Sequence, residues 1–164
     1  LKDYQDYESL SKNIKVPELS QSQEVLLLDW FEKCSDGPGH LPTRREFRPE
    51  HYAKHMPFVV IFDILEEPLD FKYRFFGTMV RQHSHDNFTG KLLSELPGKG
   101  PDSQIWNMLD QTRIKKNAMF KEVPYVGPDA DFKRSTVLFL PMADDHNTPD
   151  KIFLIANFTK TDFD

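Results

Sequence analysis

Two strand-like runs, then about 40 residues of helix-like pattern, then three more strand-like runs: this order constrains the chain more than any other feature of the sequence. After Pro57, Phe58-Val59-Val60-Ile61-Phe62 is an unbroken β-branched and aromatic run, the mark of a strand covered on both faces. Phe71, Tyr73 and Phe75 alternate with Lys72 and Arg74, so the second strand carries one apolar face, and Glu66-Glu67-Pro68-Leu69-Asp70 makes the turn between the two. Short helices are expected from Thr78 to Asp86 and from Leu92 to Leu96. A longer helix over 102–117 is capped by Asp102, with Ile105, Met108 or Leu109, and Thr112 on one side. A doubly wound sheet would alternate strand with helix, so the fold class read here is α+β. One five-stranded antiparallel sheet is expected near 58–65, 70–77, 118–125, 134–142 and 151–160, with the helix at 102–117 covering it.

Upstream, residues 1–19 are polar and aperiodic and read as an N-terminal arm. Ser20 and Gln23 have capping-box spacing, and Val25, Leu28, Phe31 and Cys34 recur at helical intervals, which predicts a helix over 21–35 stopped by Asp36-Gly37-Pro38-Gly39. Residues 20–40 are thus an N-terminal helix and loop, and 41–164 the domain proper, opening with a short helix from Pro49 to Met56. Val25, Leu26, Leu27, Leu28, Trp30 and Phe31 occupy more of the helix circumference than one packing contact needs. Two outcomes follow: a homodimer through Val25, Leu28 and Phe31, which is the expectation adopted, or a helix packed wholly on its own domain.

Composition narrows the function. The net charge is −5 with dispersed basic residues, so no phosphate-backbone footprint exists and nucleic acid is not expected as a partner. A single cysteine, Cys34, precludes an internal disulfide and suits the cytoplasm, and no apolar run is long enough to span a bilayer. Fourteen Phe and five Tyr against two Trp point to an aromatic core in which imperfectly meeting rings leave a cavity. Alternate strand residues and one helix stripe should converge there, which selects Tyr73, Phe75, Trp106, Leu109, Phe139 and Phe153 as ligand-binding candidates. Arg74 joins them, because a guanidinium in an aromatic strand either binds an anion or pairs along the outer face with Asp63 or Glu66.

Catalytic chemistry finds little purchase. His51 and His55 have the i, i+4 spacing of a zinc pair, but Tyr52 stands where a catalytic Glu would follow and no third ligand is identifiable. His83 and His85 diverge on a helix and read as surface residues. Gly98-Lys99-Gly100 is too short for a phosphate loop, no nucleophile elbow is present, and Asp144-Asp145 reads as a hairpin tip. No catalytic residue and no metal ligand is assigned. The chain reads as a binding module that is not an enzyme, with a small metal-dependent enzyme of unknown reaction as the alternative.

Leu41-Pro42-Thr43-Arg44-Arg45-Glu46-Phe47-Arg48-Pro49, Met56-Pro57 with Asp63, Tyr73-Arg74-Phe75-Phe76-Gly77-Thr78, Thr89-Gly90-Lys91 with Glu95-Leu96, and Leu140-Pro141-Met142 span roughly 41–158. With these elements the sequence resembles a bacterial PAS-domain family of the kind common in alphaproteobacteria. His85 departs from the pattern, since related chains usually carry glycine there and the helix ends before the Thr-Gly turn. The resemblance implies a sheet and short helices enclosing a small-molecule, haem or flavin site, dimers through an N-terminal helix, and a sensory or regulatory role in signal transduction. The cofactor is left unknown, because Cys34 lies outside any flavin-adduct position and 102–119 holds no histidine for haem. No histidine-kinase, diguanylate-cyclase or helix-turn-helix pattern occurs within these residues, so output is expected through a signalling partner protein or the dimer.

Overall fold

A computed structural model describes residues 19–34 and 40–160. The expected arm at 1–18, the helix stop at 35–39 and the last four residues lie outside them. The first element is helix α1, Gln21–Lys33. Its capping box forms as the spacing predicted: the Gln23 backbone N–H donates to Ser20 Oγ at 3.1 Å and the Ser20 N–H donates to Gln23 Oε1 at 3.0 Å. Gln23 is fully buried, and its amide Nε2 also donates to the Ile155 carbonyl at 3.0 Å and the Thr136 carbonyl at 3.2 Å. One side chain therefore starts the helix and pins it to two strands.

Five strands form one antiparallel sheet: β1 Val59–Leu65, β2 Asp70–Phe76, β3 Met119–Pro124, β4 Arg134–Met142 and β5 Lys151–Thr159. Their spatial order is β2-β1-β5-β4-β3, so the first and last strands in sequence lie side by side in the centre. Val59, Val60, Ile61 and Phe62 are all buried, as a strand covered on both faces requires. Val59, Ile61, Leu138, Leu140, Phe153 and Ile155 pack with Leu26, Leu27, Trp30 and Phe31 of α1 on one face. Val60, Phe62, Phe139, Ile152, Leu154 and Ala156 pack on the other with Trp106 and Leu109 of helix α3, Gln104–Lys115. Between β2 and α3 run the one-turn helix α2, Thr78–Gln82, and a tight turn at Leu93–Glu95. This is an α+β architecture, a five-stranded antiparallel sheet with helical cover and an N-terminal helix.

Several local expectations change. Ser103, not Asp102, caps α3, its Oγ accepting from the Trp106 N–H at 3.2 Å. The helix expected from Pro49 to Met56 shrinks to 3₁₀ turns at Pro49–Tyr52 and Met56–Phe58, and α2 stops at Gln82. The non-glycine residues with positive φ among those described are Glu67, Lys116 and His146, so His85 makes no left-handed turn. Phe31, expected at the dimer seam, packs into the α1-side core at 9% exposure. The large apolar side chains that α1 leaves open are Val25 at 36% and Leu28 at 38%.

Strand β2 carries the change that matters most for the site. Ile61 pairs with Phe75 but Phe62 pairs with Tyr73, so Arg74 is an extra residue opposite the β1 ladder, a bulge. Past it the side-chain alternation reverses. Phe71, Tyr73 and Phe76 share the α3 face, with Tyr73 and Phe76 ring centroids 5.6 Å apart. Phe75 sits across from Ile61 on the α1 side and is partly exposed.

Candidate functional site

The α3 face of the sheet does not close completely. A partly open cavity of about 490 Å³ remains between the sheet, α3 and the connection that follows β2. Its floor is Val60 and Phe62 of β1, Val137 of β4, and Leu154 and Ala156 of β5. Ile105 and Met108 of α3 form one wall, and Val80 of α2 with Phe88 forms the roof.

The roof is held by backbone contacts to the free edge of β2. The Tyr73 N–H donates to the Lys91 carbonyl at 3.0 Å, the Gly90 N–H donates to the Tyr73 carbonyl at 2.6 Å, and Lys72 bridges to Leu92. Buried Asp70 anchors the next turn by accepting from the Ser94 N–H and the Ser94 hydroxyl. Gly77 lets the chain turn from β2 into α2 against the preceding segment. A Cβ there would lie 2.4 Å from the Pro57 carbonyl oxygen and 2.5 Å from that of Met56.

Besides Ser84, Gln104 and Ser135, the polar groups on the lining fall in two places. At one end His83 sits among rings, 4.1 Å from Phe158 and 4.5 Å from Phe132 by centroid, with its Nδ1 2.7 Å from the Tyr125 hydroxyl. Burial lowers the His83 pKa, with Asp129 opposing the shift, so the neutral ring is favoured. His85 reaches the Val126 carbonyl at 3.3 Å and is exposed, as expected, whereas His83 is half-buried; both belong to the cavity lining. At the other end the Lys99 ammonium lies 5.1 Å from the centre of the Phe88 ring, and Phe88 is 5.6 Å from Tyr73. Burial lowers the Lys99 pKa and raises that of the Tyr73 phenol. Neither the Lys99 ammonium nor the Tyr73 hydroxyl has a hydrogen-bond or ion-pair partner among the described residues, although Tyr73 is only 4% exposed.

Of the sequence-selected residues, Tyr73 lines this cavity. Trp106, Leu109 and Phe139 belong to the apolar cluster beside it without facing it, Trp106 meeting Phe71 edge to face at 5.0 Å. Phe153 lies on the opposite face of the sheet, 5.6 Å from Phe47. Phe75 is carried away by the bulge. Arg74 points outward and donates to Asp63 Oδ2 at 3.1 Å, the paired arrangement weighed from the sequence. The cavity residues that sequence reasoning passed over are chiefly His83, Phe88, Lys99, Val137, Leu154 and Phe158. On β5 every residue from Ile152 to Ala156 is buried, so alternation could not tell Phe153 from Leu154.

Other constellations resolve as packing. His51 and His55 do not share a helix face, because the turn ends at Tyr52 and His55 Nδ1 instead meets Ser22 Oγ of α1 at 2.8 Å. The Asp144-Asp145 segment is a hairpin tip in which Asp145 Oδ1 accepts from the Asn147 and Thr148 N–H groups. Among the described residues no group of three or more His, Cys, Asp or Glu is placed to hold a metal ion, and no helix is long and apolar enough to cross a membrane.

No protein-family model matches the chain, and no curated protein matches it. Among solved structures, a sensory box sensor histidine kinase from Vibrio cholerae is similar at 11% identity and a TM-score of 0.48, over 71% of this chain and 93% of that one.

Proposed function

We propose that the chain is a PAS-like sensory or regulatory module that binds a small molecule in the cavity on the α3 face. The observation carrying this reading is a largely apolar cavity of about 490 Å³ with unpartnered polar groups on its lining, beside the apolar cluster of the α3 face. Well-packed interiors leave few voids larger than a water molecule. Occupancy would tighten Val80, Phe88 and α3 around the ligand, and the change would pass to a signalling partner or a second copy of the chain. The reading keeps the protein in the cytoplasm, where buried Cys34 stays reduced. It also retains a homodimer through Val25 and Leu28, the two large apolar side chains that α1 leaves open.

Native mass spectrometry of the freshly purified chain tests the binding reading. The expected result is a bound mass retained under gentle ionisation, lost on denaturation, and diminished in an Ala156→Phe variant that fills the cavity floor. A chain that carries only its own mass, and that gains none when offered small-molecule extracts, contradicts it.

A further inference from the structure

We propose that the cavity selects a flat apolar ligand bearing one carboxylate or equivalent anionic group, with Lys99 as its counter-charge and the Tyr73 hydroxyl as an additional hydrogen-bond donor. The inference deepens the reading of this cavity as a ligand site and rests on it. Among the lining residues Lys99 is the one with a permanent formal charge, and none is an acid. The two histidines occupy the other end, where His83 is engaged by Tyr125 and His85 by the Val126 carbonyl.

Lys99 is half-buried against Phe88, and the ring face satisfies its charge only in part. Removing an ammonium from water without a counter-ion is unfavourable, and burial lowers its pKa here accordingly. A ligand carboxylate would reverse that penalty by supplying a charge-assisted hydrogen bond in a partly buried site. Tyr73 packs against the same Phe88 ring, their centroids 5.6 Å apart. Its phenol stays protonated because burial raises the pKa, so its hydroxyl donates to an anion and does not repel it. The ligand body follows from the lining, where Phe62, Phe76, Phe88 and Phe158 are aromatic and Val60, Leu154 and Ala156 aliphatic. A cationic ligand would meet the like charge of Lys99 and find no acid on this lining.

The test compares 2-naphthoate with its neutral isostere 2-naphthamide by calorimetric titration of the whole chain. Wild-type protein is expected to bind the carboxylate at least about tenfold more tightly, the scale of one charge-assisted hydrogen bond. Lys99→Met should remove that preference while leaving the amide affinity within about twofold. Lys99→Arg should retain the preference, and Lys99→Gln provides a second neutral variant should the methionine perturb folding. Equal affinity for the two probes in wild-type protein, or a preference that survives both neutral variants, overturns the anion assignment while the cavity stands as a binding site. If neither probe binds, the binding reading itself fails and this assignment fails with it.

Discussion

At the scale of single residues, close approach and unpaired polarity do most to shape this molecule. Gly77 shows the first. Its φ of −61° is open to any residue, so only the Pro57 and Met56 carbonyl oxygens, within 2.5 Å of where a Cβ would stand, demand glycine. Gly77→Ala should therefore lower unfolding stability by about 1–3 kcal/mol, the range for forced overpacking, as read by urea denaturation. A variant as stable as the parent would mean that the Pro57 segment yields freely. Arg74 shows what the sequence could convey about single residues, since an exposed guanidinium beside Asp63 was one of its two legible outcomes. Lys99 shows what it could not. Nothing in Gly98-Lys99-Gly100 says that the roof of the cavity brings this ammonium over Phe88, because that contact depends on the backbone pairing of Gly90 and Lys91 with β2.

At the scale of elements, strands were more legible than helices. β4 spans the predicted 134–142, and β1 begins one residue inside its expected range, because β-branched and aromatic runs bounded by proline and polar turns leave little latitude. The short helices shrank to 3₁₀ turns or a single α-turn, each too brief for periodicity to fix its bounds. The β2 bulge had no sequence signal, for Arg74 is neither glycine nor proline, and this one insertion moved Phe75 off the site. For α1 the sequence left two outcomes; Leu26, Leu27, Trp30 and Phe31 face its own sheet, whereas Val25 and Leu28 do not. The paired substitution Val25→Glu, Leu28→Glu is expected to leave the fold intact, because both side chains are on the open face. By sedimentation the wild-type chain should run as a dimer at micromolar concentration and the variant as a monomer. A monomeric wild-type chain contradicts the dimer.

For the whole molecule, the segment order was enough to give the α+β class, since two strands before the helices and three after them suit an antiparallel sheet covered by the intervening helices. The neighbours within the sheet and the face each strand offers were not legible. β1 and β5 are buried on both faces, and continuous apolar runs carry no alternation to orient them. That ambiguity placed Phe153 in the expected site and left Leu154 out of it. The resulting sheet is packed by α1 on one face and incompletely closed under α3 on the other, and ligand binding on the second face is the central claim. Methyl-resolved NMR during titration with neutral 2-naphthamide tests it most directly, since that probe separates cavity binding from charge recognition. The account predicts saturable shifts at Val60, Val80, Val137, Leu154 and Ala156, with Leu26 and Leu27 unmoved. Shifts centred on the α1 face, or none at millimolar probe, would contradict it.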